Sequence, residues 1–182
     1  MYTMTLCNDC GLPLKTNQDS SDEAAQSRCD PCITLVEDNC STRVSPLERG
    51  DLELVLAWRS NPEIYRYFRL QNSPLEWHEH VTWFESRAPD RHDFMIHYDE
   101  RRVGVISIDT DDEVGIYLGD FSAHGHGIAA ASLEWLCNRF ENRTPLFAEI
   151  HEENVASKLL FSRCGFQQRD TDEGWLQYIY EP

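Results

Sequence analysis

Four cysteines in two pairs carry the plainest chemistry in this chain. Cys7-Asn8-Asp9-Cys10 and Cys29-Asp30-Pro31-Cys32 are separated by eighteen residues. A C-x2-C turn presents two thiolates on one side of a tight loop, and two such turns complete a tetrahedron around Zn²⁺. Gly11, just after the first pair, supplies the backbone freedom such a turn needs. Four thiolates close the coordination shell, so Cys7, Cys10, Cys29 and Cys32 are expected to hold a structural Zn²⁺ with no open position for water. Two disulfides, or two unrelated redox pairs, are the alternatives. A second group is His124-Gly125-His126-Gly127-Ile128-Ala129, which follows the strand pattern Glu113–Leu118 and opens a helix pattern. Glycines there let backbone N–H groups approach an anion, and the helix N-terminus adds partial positive charge. The ligand class that fits is a pyrophosphate, against the plainer reading of a simple turn.

These groups need elements to hold them. The first 41 residues contain five of the seven cysteines and no Trp or Phe, with a polar stretch from Thr16 to Ser27. From Thr42 onward strand-like and helix-like periods alternate, which predicts an α/β or α+β domain. The boundaries are therefore 1–41 for a zinc-ribbon-like segment with its linker and 42–182 for the main domain. Strands are expected at 43–46, 93–98, 102–109, 113–118, 146–150, 166–169 and 176–180. The connections Asp99-Glu100-Arg101 and Thr110-Asp111-Asp112 have hairpin length. Helices are expected at about 51–59, 127–140 and 155–163. A fourth is expected to begin at Ser73-Pro74, read as an N-cap with proline first, and to run to about Ser86. Cys137 falls inside an apolar helix pattern and reads as a buried filler, and Cys40 as part of the linker.

Sixteen basic residues oppose thirty-two acidic ones, for a formal charge of -16, and only Lys15 and Lys158 are lysines. That balance excludes a basic nucleic-acid footprint and argues against an anionic membrane surface. Five Trp, seven Tyr and eight Phe give ample core material. An acidic, lysine-poor surface suits a halophilic setting, where screening removes self-repulsion. With no secretory pattern at the N-terminus and an odd cysteine count, the expected compartment is the cytoplasm.

The second group sits in a longer pattern. The run from Glu113 to Ala129 resembles motif A of the GNAT family of N-acetyltransferases, Gln/Arg-x-x-Gly-x-Gly/Ala. Gly127 and Ala129 fall on its small positions, and His124 stands where Gln or Arg is usual. Twenty-five residues after Ala129, Asn154-Val-Ala-Ser-Lys-Leu-Leu-Phe-Ser-Arg-Cys-Gly-Phe166 resembles motif B, Asn-x-x-Ala-x-x-Leu-Tyr-x-x-x-Gly-Phe. Asn154, Leu160, Gly165 and Phe166 match, while Ser157 replaces Ala and Phe161 replaces Tyr. The resemblance covers about residues 42–181. It implies a mixed, mostly antiparallel sheet of six to seven strands flanked by about four helices. It also implies acetyl-CoA as cosubstrate. Pantetheine would lie along Ile116, Tyr117 and Leu118, the pyrophosphate on His124, Gly125, His126, Gly127, Ile128 and Ala129, with Asn154 and Phe161 also at the cofactor.

Amine acetylation needs a base for the ammonium, a polarised thioester carbonyl and a stabilised leaving thiolate. In the resemblance, a glutamate at the position of Glu149 serves as base in several N-terminal-amine acetyltransferases. Phe147, Glu149 and His151 share a strand face, so His151 is the alternative base, and a solvated surface acid is the bland reading of Glu149. Phe161 departs from the family, because a phenyl ring cannot protonate the thiolate. Water then protonates it, or Tyr117 or another residue substitutes, or the domain binds CoA without turnover. The segments Leu56–Ile64 and Ser73–His80, with Trp83, resemble two subgroups. One acetylates ribosomal protein N-termini. The other, which fits somewhat better, acetylates a nucleotide-linked amino-sugar, whose phosphates Arg59, Arg66 and Arg69 could meet. The competing expectation is a CoA-binding regulatory or scaffold protein whose zinc knuckle contacts a protein partner. A monomer or homodimer is the expected assembly.

Overall fold

The computed structural model describes residues 6–14, 28–32, 35 and 41–182. Cys40, Lys15 and the polar stretch 16–27 lie outside the described residues. Strand β1 (Thr42–Pro46) pairs antiparallel with β2 (His92–Tyr98), β2 with β3 (Arg101–Ile108), and β3 with β4 (Val114–Leu118). Strands β5 (Leu146–His151), β7 (Trp175–Tyr180) and β6 (Gln167–Asp172) form a second antiparallel sheet in that order. The seven strands thus fall into groups of four and three. They meet at one parallel bridge, Glu113 opposite Phe147, where the Phe147 N–H donates to the Asp112 carbonyl at 3.0 Å. Past that point β4 and β5 share no ladder, and the edge of β4 beyond the bridge is left open.

From residue 41 onward, five α-helices flank the strands: α1 (Leu52–Arg59), α2 (Pro62–Tyr65), α3 (Trp77–Glu85), α4 (Ile128–Arg139) and α5 (Val155–Arg163). Two readings of the sequence need correction. Helix α2 went unread, although Asn61 caps it by accepting from the Glu63 N–H at 3.0 Å with Pro62 at its first turn. Helix α3 starts at Trp77 rather than at Pro74. The amide of Gln71 donates to the Ser73 carbonyl at 3.0 Å and to the Arg59 carbonyl at 2.6 Å, tying Ser73 to the end of α1.

Strand alternation divides the core. Phe94 and Ile96 of β2 face the main cluster under α4, with Leu133, Leu136, Leu146 and Ile150, whereas Met95 faces a smaller cluster with Val55 and Val105. Trp58 and Trp83 border this smaller cluster. Gly119 permits the contact, since a Cβ there would lie 2.0 Å from the Trp58 ring. Cys137 is buried, and burial pushes its thiol up to about 12. No helix among the described residues is long and apolar enough to cross a membrane.

Candidate functional site

The open edge of β4 leads directly into the glycine turn. Asp120 accepts from the Ser122 N–H at 2.9 Å and from Arg101 at 2.9 Å, which folds the chain back after the strand. Gly125 and Gly127 follow in the left-handed region, at φ of 82° and 77°. A Cβ at either would touch nothing within 4 Å, so the backbone there borders open space. Gly127 caps α4 with no side-chain bond, and the first acceptor use at this end is the Ala131 N–H on the Gly127 carbonyl at 3.0 Å. The N–H groups of Ile128, Ala129 and Ala130 therefore lack intrahelical acceptors and face that space with the positive end of a twelve-residue helix. This is a cradle suited to a pyrophosphate. His124 lies 3.4 Å from the Leu118 carbonyl through Nε2, and the His126 ring meets Tyr98 at 5.6 Å.

Other residues read from the sequence take more varied positions. Ile116 and Leu118 turn toward the main core, whereas Tyr117 packs edge-on to Phe68 at 5.6 Å on the opposite face. Burial pushes the Tyr117 hydroxyl above its ordinary range. Asn154 caps α5 by accepting from the Ser157 N–H at 3.1 Å, which leaves its amide NH₂ to donate. Phe161 is 3% exposed and meets Phe166 edge-on at 4.9 Å, so it belongs to the core wall.

Near the point where β4 and β5 part, charges gather. Glu149 accepts from Arg69 Nη1 at 2.5 Å, and Asp172 accepts from Arg69 Nη2 at 2.6 Å. Glu113, to which the sequence reading assigned no role, has its carboxyl pushed up to about 7, first by burial and then by the charges of Glu149 and Asp109. Its signal was positional: it immediately precedes β4, opposite Phe147 and thus two residues from Glu149 across the bridge. His151 packs between Tyr67 at 5.7 Å and Trp175 at 5.2 Å, and its Nδ1 accepts from the Glu153 N–H at 3.2 Å. In the neutral ring that bond leaves the proton on Nε2. Arg59 is held by Gln71 at 3.0 Å and Arg66 by Glu63 at 3.2 Å.

The four paired cysteines converge at the other end of α4. Their sulfurs lie within 4.8 Å of one another, and Cys10 Sγ is 3.8 Å from Cys29 Sγ. A tetrahedron with Zn–S bonds of about 2.3 Å has edges of about 3.8 Å, whereas a disulfide needs about 2.05 Å. All four are free thiols and fit a zinc site. Without a cation they cannot all ionise. Hydrogen bonds from Cys29 and Cys32 drive the Cys10 thiol down, while bonding to Cys10 pushes theirs up. Trp135 Nε1–H donates to Cys32 Sγ at 3.2 Å, and Arg139 donates to the Pro13 carbonyl at 2.9 Å. Cys7, Cys10 and Cys32 consequently sit within the main hydrophobic cluster rather than in a detached unit.

The chain is 40% identical over 163 residues to an uncharacterised protein of Methanocaldococcus jannaschii, which spans 82% of this chain and 32% of that protein; the chain thus has about a third of that relative's length. A crystal structure of a domain from the same organism superposes with a TM-score of 0.70 at 33% identity, covering 76% of this chain and 96% of that one. Spermidine N-acetyltransferase from Vibrio cholerae, in complex with CoA and spermine, superposes with a TM-score of 0.66 at 16% identity, covering 78% and 94%. Residues 42–167 match the model of the acetyltransferase (GNAT) domain, and the chain belongs to that family.

Proposed function

We propose that this chain binds acetyl-CoA along the open edge of β4 and transfers the acetyl group to a primary amine by direct attack. The observation that carries this reading is the parting of β4 and β5 beyond the Glu113–Phe147 bridge, with the α4 cradle at the far end of the opening. Pantetheine lies in the opening and its pyrophosphate on the N–H groups of Ile128, Ala129 and Ala130. The likeness to a CoA-bound acetyltransferase supports the same placement.

The acceptor ammonium gives its proton to the Glu149–Glu113 pair. A carboxyl near 7 is matched to proton transfer at neutral pH, and the neighbouring charge of Glu149 helps to hold it there. The free amine attacks the thioester carbon, the C–S bond breaks, and CoA leaves as thiolate. With Phe161 in the core wall and Tyr117 enclosed on the opposite face, water protonates that thiolate, which a thiol pKa of about 8.5 permits. Cys7, Cys10, Cys29 and Cys32 hold a structural Zn²⁺ that fastens the N-terminal segment to α4. The acceptor is a nucleotide-linked amino-sugar or a protein N-terminus. Free-thiol release from acetyl-CoA across a panel of amines tests the reading. Turnover on at least one acceptor class is expected. Tight CoA binding with no thiol release on any of them would reject the enzyme in favour of a CoA-binding scaffold.

A further inference from the structure

A cavity of about 630 Å³ lies on the β1 side of the four-stranded sheet, at the opposite edge from β4 and its opening. Its walls come from the first cysteine turn, β1, α1, the end of β2 and the start of β3. Three of the fourteen arginines of the chain, Arg43, Arg101 and Arg102, line it. Ser45 and His97 line it too, and their Oγ and Nε2 atoms share a hydrogen bond at 2.9 Å. Two backbone departures place these groups. The register of β2 and β3 slips by one residue at Val103, which sets Arg102 opposite His97. Asp99 and Glu100 turn the hairpin at φ of 48° and 63°, a left-handed pair that residues other than glycine adopt at a cost. That turn brings Glu100 to Arg43.

Each guanidinium is pinned through one nitrogen and unfilled at the others. Arg43 pairs through Nη2 with Glu100. Arg102 pairs through Nε with the buried Asp51 at 3.0 Å, and Arg101 through Nη1 with Asp120 at 2.9 Å. Their remaining nitrogens have no hydrogen-bond partner among the described residues. Asp9, on the wall from the cysteine turn, is itself paired with Arg28 at 2.8 Å. The carboxylates thus fix the three forks and cancel charge locally without filling them. An anion meets less repulsion there than over the rest of a chain of charge -16. Guanidinium forks match oxyanions bidentately, and three of them around one cavity suit a molecule with more than one oxyanion group. We propose that this cavity binds a small polyvalent oxyanion, a phosphate compound or a polycarboxylate, at a site separate from the acetyl-transfer opening. Its walls belong to both the cysteine segment and the sheet, so the bound anion ties the two together. The site stands whether or not the chain transfers acetyl groups.

Inorganic pyrophosphate and citrate test the two sources of such an anion. Binding is read by calorimetry at constant ionic strength with CoA at saturation, so that the α4 cradle is not offered to the probe. At least one of the two is expected to bind with a Kd below about 1 mM and to raise the melting temperature, while acetate does neither. Binding by one alone assigns the site to phosphates or to carboxylates. Arg43→Gln and Arg102→Gln should each weaken binding by about tenfold or more, the scale of one charge-assisted contact. Arg102 also neutralises the buried Asp51, so Arg43→Gln, whose partner Glu100 is exposed, carries the test if the other variant does not fold. Arg169→Gln, which removes an exposed arginine paired with Glu181, should leave binding unchanged. Failure of the wild type to bind either probe at millimolar concentration overturns the site. So does binding that acetate matches, or that survives both Arg43→Gln and Arg102→Gln.

Discussion

The two ends of α4 are finished in opposite ways. At the C-terminal end, Trp135 donates to Cys32 and Arg139 to the Pro13 carbonyl, and the thiols of Cys7, Cys10 and Cys32 are buried among apolar side chains. At the N-terminal end, Gly127 caps the helix without a side-chain bond, and three N–H groups face open space. Buried polar groups in folded proteins are almost always paired, so an end left unfinished on the surface is where a ligand can complete the bonding. One end holds the N-terminal segment; the other is shaped for a guest.

Removing the proposed Zn²⁺ should produce the largest effect and break the comparison at its closed end. Elemental analysis is expected to find about one zinc per chain. Chelation, or Cys10→Ser, should lower the melting temperature by more than about 10 °C, because metal binding energy in such a site is folding energy. CoA affinity should fall much less, since the cradle lies at the far end of the helix. Zinc-free protein that melts where the purified protein does would remove the structural metal from the account.

The carboxylates at the parting of β4 and β5 come next. Glu149→Gln and Glu113→Gln should each lower kcat/KM by about 100-fold. The wild-type profile should fall on the acid side of about pH 7, and Glu113→Gln should erase that limb. Stability moves the other way. The folded chain holds the Glu113 proton more tightly than the unfolded chain does, so ionisation weakens the fold as pH rises from the ordinary carboxylate range through about 7. Glu113→Gln should therefore stabilise the protein at pH 8 by on the order of 2 kcal/mol and leave it unchanged at pH 4. A variant that loses stability at pH 8 would show that burial is not what raises this carboxyl.

The difference between those two sites also explains what could be read in the sequence. The cysteine pairs and the glycine turn were legible because each is a short pattern with a local mechanism, and the four sulfurs do converge. Asn154 was read as a cofactor contact, and its capping of α5 was not foreseen. The charge neighbourhood of Glu113 and the ion pairs of Arg69 were not legible. Arg69 is 80 residues from Glu149 and 103 from Asp172, and such pairings leave no periodicity in the chain. The start of α3 was misplaced for a related reason. Ser73-Pro74 looks like a helix start, but Gln71 holds that serine against the end of α1, a tertiary contact that overrides the local signal.

Glycine-to-alanine changes sharpen the contrast with smaller effects. Gly127 and Gly11 both have positive φ, at 77° and 69°, so alanine strains either by about 1–2 kcal/mol. Their surroundings differ. A Cβ on Gly11 would lie 2.7 Å from Pro46, whereas one on Gly127 would meet no protein atom within 4 Å. Gly11→Ala should thus be the less stable variant by melting temperature and bind CoA normally. Gly127→Ala should lose only a few degrees but weaken CoA binding about tenfold, because its Cβ enters the space meant for the ligand. Equal CoA affinity in the two variants would place the pyrophosphate elsewhere.

The smallest expected effect is the response of CoA binding to salt. Most phosphate sites lose affinity steeply as salt rises, because they are built from Lys and Arg. Here the cradle is made of amides and a helix end, and nearby Arg101 is already paired with Asp120. The field around it comes from sixteen more acidic than basic residues, and four thiolates with Zn²⁺ would make it more negative still. Salt at about 1 M shortens the Debye length to about 3 Å and removes that repulsion, while short N–H contacts persist. The CoA Kd should therefore change by less than about threefold between roughly 0.1 M and 1 M salt, or tighten. A loss of tenfold or more would mean that cations carry the binding, and the open end of α4 would then no longer be its main support.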